Sequence, residues 1–321
     1  DVRTRIAALS QYPRDWRMAI NRWARLNRSH RSRVDGFAAP VRADEYLLYQ
    51  TLLGSWPGER DDAYADRIVQ YMIKALREAQ ERSNWSNPNE AYEQAVERFV
   101  RAILDPERSS GFLDDFVQVQ HRVAADGFVG SLAAAVLKAT SPGVPDYYQG
   151  TEFIDLSLVD PDNRRPVDFE ARRYALRRLR ARKIGPTLIS ELGSGAADDL
   201  AKLHVIATLL QYRSLHAGFM ATAGYEPITL AGPAADALFA FGRADGSTRL
   251  ISIVPLRSDG LFGRGGATET GISALQTTTM PLSGAWTNLL TGEVVERNGT
   301  IAIADLLDSF PVAVLVQGGG Q

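Results

Sequence analysis

The spacing of apolar residues changes once along this chain, and that change limits the folds open to it. From Tyr12 to Leu26 the residues Trp16, Ala19, Ile20, Trp23 and Leu26 recur at helical intervals, with Arg14, Arg17, Arg22 and Arg25 on the other faces. The same reasoning predicts helices over 44–53, ended by Gly54 and Pro57, and over 63–82. A helix running to Leu104 is expected to start at SNPNEAYE, with Asn87 as cap, Pro88 in the first turn and Glu90 reaching back. Helices over 114–125 and 129–139 complete a region of 140 residues with hardly any strand signal, and two more fit 169–183 and 197–212. After about Gly224 short strand-like runs take over, at 227–230, 238–242, 249–254, 277–282, 301–303 and 312–316. Charge thins with them, from about 26% of residues before position 236 to about 15% after it. The expectation is three stretches: a helical region over 1–140, a middle segment over 141–223 and a small antiparallel β domain over 224–321.

Composition removes several classes of function. The 321 residues are 45% apolar and 9% aromatic, enough to fill a core, and the length suits about two domains. Without cysteine there is no disulfide, thiolate metal site or cysteine nucleophile. His30, His121, His204 and His216 stand too far apart for a metal-binding helix of the HExxH kind, so neither a metal nor another cofactor is expected, and each histidine reads as structural. Lys+Arg 36 against Asp+Glu 38 lacks the basic excess that nucleic-acid binding demands. The longest apolar stretches, 128–137 and 250–256, fall short of the roughly 18 residues of a membrane span. No secretory signal is legible, and a cytoplasmic location is expected. Asp1 opens directly into VRTRIAAL, which reads as helix interior, so the chain is expected to begin inside a larger protein.

Two neighbouring segments carry the chemistry. In Gly143 to Glu152, Pro142 and Gly150 bracket a 144–148 core that suits a short buried strand. At its end stand Asp146, Tyr147, Tyr148, Gln149 and Glu152. Aromatic faces beside carboxylate and amide groups suit a sugar, which has an apolar C–H face and a ring of hydroxyls. A strand end whose tyrosines merely pack is the competing reading. Shortly after, DPDNRRPVDF places Asp160, Asp162, Arg164 and Arg165 in a loop stiffened by prolines. An Asp–Arg couple can divide its remaining hydrogen-bonding capacity among sugar hydroxyls, or it can simply staple a turn.

The pattern G-x-P-x-x-Y-x-G-x-E at Gly143 to Glu152 resembles the eighth-strand motif of the α-amylase superfamily, glycoside hydrolase family 13. Together with DPDNRRP, EYLLYQTLLGSWP (Glu45 to Pro57), NWSNPNEAY (Asn84 to Tyr92) and DWRMAINRWARLN (Asp15 to Asn27), it resembles the maltooligosyltrehalose synthases of that superfamily. The resemblance implies an α/β barrel remnant, comprising the last barrel strand and helix, with a large all-helical insertion before it and a small antiparallel β-sandwich domain after it. It implies an isomerase of trehalose biosynthesis that converts the reducing-end α-1,4 linkage of a maltodextrin to α,α-1,1 by intramolecular transglucosylation. It also implies that the nucleophile, the acid/base and the third carboxylate lie upstream, with Asp1-Val2-Arg3 resembling the end of the last catalytic segment. No catalytic residue is therefore assigned within the chain, and the chain alone is expected to be inactive. Substrate binding falls to Asp146, Tyr147, Tyr148, Gln149, Glu152, Asp160, Asp162, Arg164 and Arg165. The implied partners are a maltodextrin, the N-terminal barrel half and a maltooligosyltrehalose trehalohydrolase of the same pathway, with no nucleic acid and no membrane. A non-catalytic glucan-binding or assembly module, and part of another amylase-superfamily glucosyltransferase, are the alternatives. Trp16, Trp23 and Trp56 read as packing, Trp85 and Asn87 as a capping region with some prospect of touching substrate, and the arginines of 172–182 as a solvated helix face.

Overall fold

The computed structural model describes residues 1–58, 61–193, 198–262 and 268–317. Gly263, Gly265, Gly266 and the terminal GGGQ, which the sequence suggests are mobile, lie outside the described residues. The chain forms two compact units, one of 1–124 with 156–165 and one of 125–155 with 166–321.

The first unit is helical, as its 3.6-residue periodicity requires. Helices Val2–Ala8, Pro13–Leu26, Arg42–Ser55, Asp62–Ala79 and Glu90–Leu104 surround an aromatic centre, and helix Pro106–Thr140 contributes its residues up to 124. Trp23 is fully buried, 5.3 Å from Tyr49, 5.4 Å from Phe116 and 5.7 Å from Phe112. Trp16 and Trp56 pack in the same cluster, in agreement with the packing role read from sequence. Gly54 does not end its helix. It lies inside Arg42–Ser55, where a Cβ would come within 2.8 Å of Val2, so glycine is there to let helix Val2–Ala8 approach. Two further details differ from expectation. Helix Glu90–Leu104 is capped by Asn89, not Asn87, because Asn89 Oδ1 accepts from Tyr92 N–H, and this makes Glu90 the first helical residue instead of a capping-box acid. Strands β1 (Ser32–Val34) and β2 (Phe37–Ala39) form a hairpin in the region where hardly any strand signal is legible. Its turn is Asp35-Gly36, with φ of 51° and 83°, the backbone for which Asp-Gly is favoured in two-residue hairpins.

The separate helices expected over 114–125 and 129–139 are one helix, Pro106–Thr140, with a break only at Ser109. Packing carries it through Gly127, whose helix-breaking cost of about 1 kcal/mol is small beside the burial of its neighbours Phe128, Val129 and Leu132. By length and composition this helix could cross a membrane, unlike the shorter stretches counted in the sequence. However, 67% of its most apolar window is buried within the protein, as in a core helix.

In the second unit, residues from 125 onward of that helix, together with Phe169–Arg180, Pro186–Gly193, Asp198–Leu215 and Ala217–Thr222, accompany a six-stranded antiparallel sheet. The strands are β3 (Gly224–Pro227), β4 (Leu238–Asp245), β5 (Thr248–Pro255), β6 (Thr279–Asn288), β7 (Val294–Ala302) and β8 (Ala313–Gln317), ordered β3-β4-β5-β8-β6-β7. β5 is apolar at successive positions because both its faces are covered. Leu250 and Val254 join the helical core, while Ile251 and Ile253 join a second core with Met280, Leu282 and Trp286. Arg243 on β4 is buried and donates to the carbonyls of Thr140, Met220, Ala223 and Gly224, so one guanidinium satisfies the C-terminal ends of two helices. The glycines of the run 261–271 read as a loop in the sequence, but its last residues begin helix Glu269–Thr277, capped by the Thr268 hydroxyl.

Candidate functional site

Residues 160–165 belong to the first unit and residues 146–152 to the second. In the first, Asp162 is the anchor. Its carboxylate accepts from Arg67 Nε at 2.9 Å and Nη2 at 2.8 Å, a bidentate pair, and from Leu158 N–H at 2.7 Å. Arg165 Nε lies 3.0 Å from the same carboxylate. Burial raises the pKa of Asp162, but Arg67 and the Leu158 amide outweigh it and hold the carboxyl below the ordinary carboxylate range. Arg67 also donates to Leu156 O, and Lys74 Nζ donates to Asp160 O at 2.9 Å, so helix Asp62–Ala79 grips the loop at three points. The other members face solvent. The Asp160 carboxylate meets Arg164 at 2.6 Å in an exposed pair, and Arg165, half exposed, donates to Ser157 Oγ at 3.2 Å. The loop thus divides by role: Asp162 is fully engaged in holding the loop, whereas Asp160, Arg164 and part of Arg165 present charged hydrogen-bonding groups outward.

In the second unit the segment 144–148 is not the buried strand expected of it. It has no regular secondary structure, and Val144 is 95% exposed. Side chains instead of a neighbouring strand meet its backbone carbonyls: Lys138 Nζ donates to Asp146 O and Arg213 Nη2 to Gly143 O. Lys138 Nζ also sits 4.7 Å from the centre of the Tyr147 ring. The Tyr147 hydroxyl is buried without a hydrogen-bond partner, and burial raises its pKa. Asp146, Tyr148 and Gln149 are exposed, and the Tyr148 carbonyl accepts from Thr151 in a tight turn.

Glu152 leads to residues that sequence reasoning missed. Arg172 Nε lies 3.3 Å from Glu152, its Nη2 donates to Gly150 O at 2.6 Å, and its guanidinium stacks 4.6 Å from the Phe153 ring. Arg172 is therefore no solvated helix arginine but the clamp of the loop. Gly150, with φ 89°, passes so close to Val167 that a Cβ would come within 3.0 Å of it. Beneath the loop, buried Lys202 donates to Phe153 O at 3.1 Å, and Asp199 accepts from Ile154 N–H at 2.7 Å. Burial pushes the Lys202 pKa down to about 8, against the opposing pull of Asp155, Asp199 and Glu152. Neither Arg67 nor Lys202 differs in sequence from any other helical cation, since their partners lie far along the chain and only the fold brings them near. Among the described residues, no group of His, Asp and Glu is arranged to hold a metal ion.

Comparison with known proteins agrees with the motifs. No family model matches the chain. Two proteins of Mycobacterium tuberculosis, strains CDC 1551 / Oshkosh and H37Rv, whose inferred name is maltooligosyl trehalose synthase, are 34% identical over 320 residues. The chain resembles part of a maltooligosyltrehalose synthase along nearly its whole length. It covers 99% of itself in these alignments but spans only 36% of the relatives. The solved maltooligosyltrehalose synthase of Arthrobacter ramosus superimposes with a TM-score of 0.78 at 29% identity, over 99% of this chain and 37% of that one. A hypothetical maltooligosyl trehalose synthase of Sulfolobus tokodaii gives 0.72 at 28% identity, over 99% and 37%.

Proposed function

We propose that the chain is the C-terminal part of a maltooligosyltrehalose synthase, supplying the end of an α-amylase-type barrel, its helical insertion and the β-sandwich domain that follows. The observation that carries this reading is the alignment of 99% of the chain, in sequence and in fold, with proteins of that name. In the whole enzyme an upstream carboxylate attacks the anomeric carbon at the reducing-end α-1,4 linkage while a carboxylic acid protonates the leaving oxygen. The freed glucose stays bound, and its anomeric hydroxyl then displaces the carboxylate to give the α,α-1,1 link. Water must be excluded while the glucose turns, which is work for loops and lids held rigidly. Asp160, Arg164 and Arg165 in the first unit and Tyr148 and Gln149 in the second are the side chains this chain offers to sugar hydroxyls and ring faces. The product would pass to a trehalohydrolase in the cytoplasm.

The test is kinetic. Purified 1–321 should not convert maltopentaose to its trehalose-ended isomer, because the nucleophile and acid lie outside it. In the full-length enzyme, Asp160→Ala or Arg165→Ala should lower kcat/KM about tenfold or more, about 1.4 kcal/mol, with little change in melting temperature. Turnover by the isolated chain, or unchanged kinetics in both variants, would refute the assignment.

A further inference from the structure

The turn that carries Tyr148 and Gln149 has no sheet to hold it. Among the described residues, one backbone-to-backbone hydrogen bond, from Thr151 N–H to Tyr148 O at 3.2 Å, braces the segment 143–155. Side chains supply the rest, and beyond the turn they meet on a single peptide group. Helix Asp198–Leu215 presents two of its residues on one face: Lys202 Nζ donates to the Phe153 carbonyl at 3.1 Å, and Asp199 Oδ1 accepts from Ile154 N–H at 2.7 Å. The carbonyl and the N–H belong to the same planar peptide, so it is gripped at both ends and cannot rotate. Arg172 carries the grip back to the turn. Its guanidinium lies 4.6 Å from the Phe153 ring, Nη2 donates to Gly150 O at 2.6 Å, Nε lies 3.3 Å from Glu152, and Nη1 donates to Asp168 O at 3.0 Å.

Stability alone does not call for an ammonium in that position. Lys202 is 7% exposed, and the charges that face it are Glu152 and Asp155 of the loop, Asp199 of its own helix and Arg172 of helix Phe169–Arg180. Desolvation outweighs the attraction of the three carboxylates, which is why its pKa falls to about 8. A lysine whose pKa is lowered by folding destabilises the native state while it is charged, and that penalty is relieved only as pH rises from the folded value towards 10.5. An apolar side chain of similar size would hold the packing at lower cost, since replacing a buried charge in this way is often neutral or stabilising. What the ammonium adds is direction: it fixes where the Phe153 carbonyl points. Tyr148 and Gln149, both exposed just ahead of the gripped peptide, are thereby presented in one arrangement before any ligand arrives, and a surface ordered beforehand loses less entropy on binding.

We propose that Lys202 and Asp199 are positioning residues of the glucan-binding turn: they clamp the Phe153–Ile154 peptide and, through Arg172, hold Tyr148 and Gln149 in the arrangement that receives an α-1,4-glucan. The glucan rests on the function proposed above; the clamp rests on the geometry of the second unit.

Hydrogen exchange in the 1–321 chain reads the clamp without substrate. Lys202→Met should speed exchange of the Thr151 and Ile154 amides about tenfold while the amides of 203–209 in the same helix keep their protection, and the variant should melt no lower than the parent at neutral pH. In the full-length enzyme the substrate must then order the turn as it binds, which weakens ground state and transition state alike. KM for maltopentaose should therefore rise about tenfold with kcat within about twofold. Asp199→Ala should act in the same way, and Asp199→Asn, whose amide oxygen still accepts from Ile154 N–H, should restore the parent KM. A merely structural role predicts the reverse, a lower melting temperature with an unchanged KM. Unchanged exchange in Lys202→Met overturns the clamp, and so does an unchanged KM in Lys202→Met where Tyr148→Ala raises it. If Tyr148→Ala leaves KM unchanged as well, the turn does not meet the glucan, and the substrate surface proposed above falls together with this inference.

Discussion

Removing Asp162 should damage stability, and removing Asp160 should not. The Arg67–Asp162 pair is bidentate, with side chains only 19% and 10% exposed, and it ties a loop at 156–165 to a helix 95 residues earlier. Deleting one partner of a well-buried pair strands the other charge, at a cost of about 3–5 kcal/mol. With Arg67 a fifth exposed, about 3 kcal/mol is the appropriate size, a more than hundredfold shift in the local opening equilibrium. Asp162→Asn and Arg67→Met should each lower protection of the 156–165 amides in hydrogen exchange by about that amount. Local exchange is the right assay because a two-unit chain need not unfold in one step. Both substitutions remove the same interaction, so the double variant should cost well below the sum of the singles. The sign of the pH dependence follows from a carboxyl held below its ordinary 3.8: the stabilisation is present at neutral pH and is lost as pH falls through the folded-state pKa. Asp160→Ala, which breaks only an exposed pair, should stay within about 0.5 kcal/mol. Additive single variants, or an Asp160→Ala as destabilising as Asp162→Asn, would refute the division of roles within this loop.

Gly54→Ala should destabilise the first unit by about 1–3 kcal/mol in urea titration, because the new methyl meets the stiff Val2 side chain at 2.8 Å; the helix-propensity gain of about 1 kcal/mol does not offset this, and a neutral or stabilising result would show that the helices can part. Lys202 releases its proton near pH 8 when folded against 10.5 as an ordinary lysine, so its contribution to stability rises between those values, by about 3 kcal/mol at about 1.4 kcal/mol per pH unit. Lys202→Met should flatten that rise in denaturation curves taken from pH 7 to 10.5, and parallel pH profiles for the two proteins would contradict it.

The periodic elements were legible. Helix Pro13–Leu26 lies where Trp16, Ile20 and Trp23 place it, and the strands after Gly224 fall near their apolar runs, because burial of one face imposes its period on the sequence. Elements without a period were not. The β1–β2 hairpin is too short to alternate and is marked only by Asp35-Gly36, and helix Glu269–Thr277 lies among residues that look like loop. For the candidate site, the sequence supplied the residue types at 146–152 and 160–165 but not their division of labour.

What the sequence alone determined is therefore what short-range chemistry writes into it: helical periodicity in the first half, β patterning in the last hundred residues, the chemistries excluded by the absence of cysteine, and the ordered motifs that resemble one family. Tertiary structure decided which charges are spent and which are offered. Asp160 and Asp162 stand two residues apart in one loop, yet Arg67 takes one and solvent the other. Similarly, Arg172 and Lys202 look like ordinary helical cations until the fold places Glu152 and the Phe153 carbonyl against them. The physical reason is that an ion pair or buried lysine is defined by distance and dielectric, and both are properties of the packed chain that no local pattern of residues encodes.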